Sequence, residues 1–86
     1  MSSAWLVTLS DYDECAHLGL FSTYELALRR LELLNAEAAA DLEAHAATLT
    51  GREWAHARRE WLAKAKYIRK HGDFKFQLEE LELESD

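Results

Sequence analysis

The chain has 86 residues and a net charge of −6, and 49% of its residues are hydrophobic, including three each of Trp, Tyr and Phe. This length allows one domain, 1–86, with a single core, and it is too short for a core that also encloses a deep active site. The hydrophobic content excludes a disordered chain, and no apolar run approaches the roughly 18 residues that a membrane span requires, so we expect no membrane association.

Two strands are predicted at the start of the chain. Residues 4–9 alternate strongly apolar and mixed positions, and residues 16–21 form a short apolar run with Gly19 near its centre. The polar residues 10–14 between them predict a turn, so we expect the two strands to pair.

Two helices follow, each predicted from a capping box. In the Ser-Thr-Tyr-Glu sequence at 22–25 the serine hydroxyl can accept a hydrogen bond from the backbone N–H of the glutamate, and the glutamate carboxylate can accept one from the backbone N–H of the serine. The predicted helix continues to about Thr48. The Thr-Gly-Arg-Glu sequence at 50–53 predicts a second helix, which ends where Gly72 can adopt the left-handed conformation.

The alternation of Phe74, Phe76 and Leu78 predicts a third strand, and the interruption of that pattern at 79–80 predicts a bulge or the strand's end. The order β-β-α-α-β indicates an α+β fold in which a small, mainly antiparallel three-stranded sheet packs against an antiparallel two-helix hairpin. The third strand is predicted to be antiparallel if it pairs with the second and parallel if it pairs with the first. The sequence leaves both pairings open.

The first helix carries two apolar stripes, and the thinner one includes Leu26 and Leu33. Such a helix needs two neighbours, which are either the sheet and the second helix or the sheet and the partner of a homodimer. On the second helix, Trp54, Trp61 and Ile68 share one stripe. Large aromatic side chains in this position favour a core over a platform for base stacking.

Charge is strongly segregated along the chain. Residues 52–71 carry seven basic and two acidic side chains, a net charge of +5, whereas residues 1–51 carry −6 and residues 72–86 carry −5. At 100° per residue, four of the cations fall in one narrow sector turned away from the core stripe. We call this sector the basic face and predict that it binds the partner; it consists of Arg52, Arg59, Lys66 and Lys70.

A different role for part of the basic stretch is pairing with the acidic first helix. If the helices pair about a turn near 49–51, Glu43 lies close to Arg58 and Arg59. Exposed pairs of this kind contribute only about 0–1 kcal/mol each. The basic residues therefore face either a partner or the first helix, and the sequence does not decide between them.

No catalytic, metal-binding or cofactor-binding residue is predicted. Asp11, Asp13, Glu14, Cys15 and His17 are crowded together, but they lack the glycine and distal glutamate of a calcium loop, and one cysteine with one histidine is too few for a zinc site. The cysteine and the histidine also lack the third member of a nucleophilic triad. Gly-rich phosphate loops, GxSxG and HExxH are absent from the sequence, so we expect a protein that is not an enzyme.

The cellular compartment is predicted from two features. Cys15 is the only cysteine, which fits a reducing compartment. The N-terminal Met-Ser-Ser-Ala-Trp has neither the basic nor the apolar region of a signal peptide. We therefore expect a soluble, cytoplasmic protein.

The sequence Leu-Gly-Leu-Phe-Ser-Thr-Tyr-Glu-Leu-Ala at 18–27 resembles a junction in small uncharacterised bacterial and phage proteins, in which a strand runs through a Gly-aliphatic-aromatic-Ser sequence into a helix. The resemblance implies a small α+β domain with an N-terminal hairpin and a late strand. It transfers no functional residue, because the basic face lies in the two-helix segment that the compact relatives lack. It also implies a phage or mobile-element origin, where small acidic domains often bind and block a host protein.

We therefore predict a small non-enzymatic protein-binding module, an inhibitor or adaptor of phage or mobile-element type with a host protein as its partner. The alternative is a nucleic-acid-binding protein that uses the basic face, for which log K falls by about 0.9 per phosphate contact with log salt. The charge of the remaining residues opposes this alternative, because it has to face away from the nucleic acid. Mimicry of DNA by the first helix and residues 73–86 would rest on a modest density of carboxylates.

Overall fold

A computed structural model describes residues 2–83 of the chain and the side chains of residues 3–82. Met1 and residues 84–86, which end the acidic stretch 73–86, lie outside the described residues. The elements are β1 (Ser2–Asp11), β2 (Glu14–Phe21), α1 (Tyr24–Thr48), a 3₁₀ turn (Arg52–Trp54), α2 (Ala55–His71) and β3 (Phe76–Leu83). This order confirms the predicted β-β-α-α-β arrangement and the α+β class.

The three strands form one antiparallel sheet in the order β2-β1-β3, so β1 is the central strand. β1 pairs with β3 from Ser2↔Leu83 to Leu9↔Phe76. A parallel orientation is predicted for this pairing from the sequence, and the prediction is wrong. The reason is that β3 begins beside Leu9, close to the β1–β2 turn, instead of beside the end of β2.

The unequal lengths of the two helices determine where the end of α2 lies beside α1. α1 has 25 residues and α2 has 17, so α2 does not return to the beginning of α1. The backbone N–H of Asp73 donates a 2.9 Å hydrogen bond to Oδ1 of Asn35, which lies roughly three turns after the start of α1. Gly72 permits this approach, since its φ of 81° and ψ of 169° are accessible essentially to glycine alone.

Both faces of the central strand β1 are buried. Val7 on one face is fully buried, and Ala4 on the other face is almost as inaccessible. Leu78 lies opposite Val7, and Leu81 lies opposite Ala4. The change of alternation at 79–80 therefore moves the apolar side chains of β3 from one face of the sheet to the other. The predicted bulge or strand end at this point is wrong, because the pairing with β1 continues without a shift.

The sheet's irregularity lies in β2 instead. Val7 pairs with Gly19, and the next residue of β1 pairs with His17, which leaves Leu18 as the extra residue of a bulge. A Cβ atom on Gly19 would lie 2.7 Å from Cε2 of Phe21. Glycine at this position therefore lets the Phe21 ring pack over the strand.

Thr23, one residue after the predicted cap, caps the N-terminus of α1. Its Oγ1 accepts a 3.3 Å hydrogen bond from the backbone N–H of Leu26. The cap is thus one residue later than predicted. With Thr23 as the cap, the third helical position, from which a glutamate completes a capping box, is Leu26 and not Glu25. The predicted end of the helix at Thr48 is confirmed.

The described chain divides into two compact units, and the first comprises the residues up to Leu34 together with those from Phe74 onward. Its core includes the buried residues of β1 and Ala27 of α1. The rings of Trp5 and Tyr24 meet edge to face, with centroids 5.0 Å apart. Leu26 and Leu33 of the thinner stripe remain 45% and 49% exposed.

The second unit, Asn35–Asp73, is a helix hairpin with a seam made mainly of alanine. Ala39 and Ala65 are fully buried and form a core cluster with Ile68, against which Leu42 packs. The small side chains at the contact let the two helix backbones approach closely.

Candidate functional site

Three residues of the predicted basic face lie on α2, and the fourth does not. Arg59, Lys66 and Lys70 are exposed within about 40° of one another, and Arg59 lies about 180° around the helix from the buried Ile68. Arg52 is exposed as well, but it belongs to the 3₁₀ turn that precedes α2.

The position of Arg52 follows from the way the helix begins. The predicted capping box at 50–53 is wrong: Gly51 takes the cap position with φ 98° and ψ 161°, and no side chain supplies a cap hydrogen bond. α2 begins only at Ala55. Because a 3₁₀ turn advances about 120° per residue, Arg52 is out of angular register with the cations of α2.

Two further basic residues are bound within the hairpin. Arg58 donates a 2.9 Å hydrogen bond from Nη1 to the carbonyl oxygen of Leu49, just after the end of α1. Arg69 makes a bidentate pair with Glu43, in which Nε lies 3.4 Å from Oε2. Hydrogen bonds from the Arg69 guanidinium hold the pKa of the Glu43 carboxyl below its ordinary value.

The pairing of Glu43 corrects the predicted helix register. Glu43 faces Arg69 instead of Arg58 or Arg59, and the imidazole of His45 meets the ring of Trp61 at a centroid distance of 4.6 Å. The residues of α2 that contact Glu43 and His45 therefore lie about two helical turns or more closer to the C-terminus of α2 than predicted. The loop and the 3₁₀ turn cause this shift, because they lengthen the connection on the α2 side.

Apolar side chains flank the three cations of α2. Leu62 lies on one side and is 44% exposed, and Tyr67 lies on the other side and is 60% exposed. We call this surface the outer face of α2; it consists of Arg59, Leu62, Lys66, Tyr67 and Lys70. Leu62 and Tyr67 are not among the predicted site residues, although their positions within about 60–80° of Arg59 on the helical wheel identify them.

Acidic side chains do not neutralise the outer face of α2. Glu60 is the acidic residue of this helix, and its Oε1 lies 3.0 Å from Nε2 of His56. Among the described residues, Arg59, Lys66 and Lys70 make no ion pair. The outer face is therefore a set of free cations next to exposed apolar area.

The two tryptophans of the predicted core stripe have different environments. Trp61 is half-buried against His45, whereas Trp54 is 49% exposed because it lies in the 3₁₀ turn and not on α2. The expectation that Trp54 packs in the core is therefore wrong. The buried part of the stripe consists of Ala65 and Ile68.

The acidic loop between β1 and β2 shows no metal-binding geometry. Within residues 2–83, no group of three His, Cys, Asp or Glu side chains is placed to hold a metal ion. Cys15 is an exposed free thiol that lies opposite Ser10 in the sheet. Over the same residues, neither helix combines the length and apolar character that crossing a membrane requires.

Comparison with known proteins finds no matching family model and no similar curated protein or solved structure. The function of the chain is therefore inferred from the surface of α2 itself.

Proposed function

We propose that this chain is a small non-enzymatic protein-binding module that docks the outer face of α2 on an acidic surface of its partner. The observation that carries the proposal is the arrangement of three unpaired cations between two exposed apolar side chains, Leu62 and Tyr67. Interfaces are enriched in Arg and Tyr, and these residues dominate binding energy when they become desolvated.

The apolar flanks favour a protein partner over a nucleic acid. A nucleic-acid backbone is bound chiefly through phosphate charge, to which Leu62 contributes nothing. Three cations on a chain with a net charge of −6 also provide few phosphate contacts. An acidic protein surface, in contrast, is attracted by the cations and buries the leucine and the tyrosine on contact.

The resemblance of residues 18–27 supports a more specific form of this proposal. A phage or mobile-element inhibitor or adaptor that binds a host protein combines that junction with a compact domain lacking catalytic motifs. In such a module the outer face of α2 supplies the contact with the host protein.

Paired bait variants test the proposal. Protein retained from a bacterial lysate by the unaltered chain should be lost when Lys66→Glu and Lys70→Glu are combined, because reversed charge repels an acidic surface, with an affinity loss of at least about tenfold. Leu62→Ser should weaken retention of the same protein without any change in charge. Lys64→Glu, on a different side of α2, is the matched control and should retain it.

Three results would contradict the proposal. Retention that disappears after nuclease treatment, together with binding to a short DNA duplex at low salt, would assign the cations to a nucleic acid. A loss of retention in Lys64→Glu as large as that in the Lys66/Lys70 variant would show that the position of the cations on α2 does not matter. Sedimentation as a dimer that Leu33→Ser abolishes, with no other partner, would identify the partner as a second copy docked on Leu26 and Leu33.

A further inference from the structure

The tip of the β1–β2 hairpin has an uncommon backbone conformation. β1 ends at Asp11 and β2 begins at Glu14, so Tyr12 and Asp13 form a two-residue loop. Two-residue hairpin loops need positive φ angles, which glycine and asparagine adopt most readily. Here Tyr12 has a φ of 35°. A bulky residue with a positive φ is an outlier, and such outliers cluster at functional sites.

The same tip concentrates like charges. Asp11 lies directly opposite Glu14 in the last pair of the ladder, and Asp13 lies between them in sequence. Like charges directly opposite one another destabilise a strand pair. None of these three carboxylates makes an ion pair with a described residue.

The tip also exposes two aromatic side chains beside a shallow groove. Tyr12 is fully exposed, and Phe74, in the turn before β3, is 89% exposed. Both line a groove of about 350 Å³ together with Ser10, Asp11 and Gln77. The backbone N–H of Ser10 donates a 2.8 Å hydrogen bond to the carbonyl oxygen of Lys75, which holds the two sides of the groove together. We call it the tip groove.

Folding does not explain the positive φ of Tyr12, the facing carboxylates or the exposed aromatic side chains. One ligand chemistry accounts for these three features together. We propose that the tip groove binds an arginine side chain of a basic segment in a partner protein. The planar guanidinium stacks on aromatic faces and pairs with a carboxylate through two parallel hydrogen bonds, which Asp11 can accept. Its positive charge also offsets the repulsion between Asp11 and Glu14.

The tip groove differs from the outer face of α2 in charge and in place. The outer face presents free cations on α2, whereas the tip groove presents carboxylates on the β1–β2 turn. Binding at the tip groove is thus independent of the function proposed for α2, and an experiment on one does not decide the other.

Titration of the full chain with N-acetyl-arginine amide, followed by backbone amide NMR shifts, tests the proposal. We expect saturable shifts at residues 10–14 and 74–77. The uncharged isostere N-acetyl-citrulline amide should produce none of them, because it lacks the positive charge.

Tyr12→Gly separates binding from folding. Glycine adopts the positive φ without strain, so thermal stability should stay equal or rise, while arginine affinity should fall at least about fivefold because the ring is lost. Phe74→Ala and Asp11→Asn should weaken binding in the same way. Asp41→Asn, an exposed carboxylate on α1, is the matched control and should leave arginine binding unchanged.

The following results would overturn the proposal. One is that N-acetyl-citrulline amide produces the same shifts as the arginine compound. Another is that the shifts at the carboxylates of α1 are as large as those at the tip. A third is that the Tyr12→Gly chain binds the arginine compound with the affinity of the unaltered chain. A Tyr12→Gly chain that loses thermal stability together with binding would assign the ring to folding.

Discussion

The inner and outer faces of α2 both carry apolar side chains, but only those of the inner face are buried. On the inner face Ala65 is fully buried and Ile68 is 4% exposed, whereas on the outer face Leu62 and Tyr67 remain 44% and 60% exposed. A helix that only covers a core has a polar outer face. Leu62 and Tyr67 are therefore not explained by folding, since they lie outside the seam and remain exposed.

The sharpest test of this difference removes one aliphatic side chain from each face. Ile68→Ala should lower the free energy of unfolding by about 2–5 kcal/mol, because it leaves a cavity in the seam. Leu62→Ala should change it by no more than about 0.5 kcal/mol, since alanine has the better helix propensity and the position lies on the exposed side of α2. Urea unfolding followed by circular dichroism measures both values.

Equal losses in the two variants would contradict the difference between the two faces. They would show that Leu62 contributes buried area to the folded chain, and the outer face would then lose its claim to be a binding surface. A small loss for Ile68→Ala would instead mean that the seam closes around the missing side chain.

A second pair of variants adds volume to each face in place of removing it. Ala65→Leu should destabilise the hairpin by about 1–3 kcal/mol, because the closely approaching helices have no space for three more carbon atoms. Ala63→Leu on the exposed side should stay within about 0.5 kcal/mol of the unaltered chain. Thermal unfolding of both variants measures the difference, and a tolerated Ala65→Leu would show that the alanine seam is not tightly packed.

Element order could be predicted from the sequence because its signals are local. The alternation in β1, the short apolar run of β2, the end of α1 at Thr48 and the glycine after α2 each depend on a few neighbouring residues. The structure has these elements in the predicted order, although β1 and β2 extend into the predicted turn, to Asp11 and from Glu14. The start of α2 shows the limit of such signals. The box at 50–53 has the residue types of a helix start, yet Gly51 takes the cap position and a 3₁₀ turn follows.

Strand order, helix register and the tip groove depend on long-range geometry. The hydrogen bond of Asp73 to Asn35 follows from the difference in length between α1 and α2, and β3 enters the sheet beside Leu9. Phe74 shares the alternation of Phe76 and Leu78 but lies in the turn before β3, because the ladder with β1 begins only at Leu9↔Phe76 and alternation does not contain that information. The exposure of Phe74 could not be predicted for this reason.

The smallest expected effect concerns Arg69 and Lys70, neighbouring cations of which only Arg69 is paired. Because Arg69 lowers the pKa of Glu43 in the folded chain below its ordinary value of 4.5, the pair stabilises the chain above that pH, and the stabilisation is lost as the pH falls through the folded pKa. Arg69→Gln should therefore flatten the fall in unfolding free energy as the pH drops below the ordinary pKa of Glu43, whereas Lys70→Gln should not. Urea unfolding at each pH measures the two slopes, and about 1 M NaCl should reduce their difference because the pair is exposed to solvent. Identical slopes would mean that Arg69 is as free in solution as Lys70, and the outer face of α2 would then extend to include it.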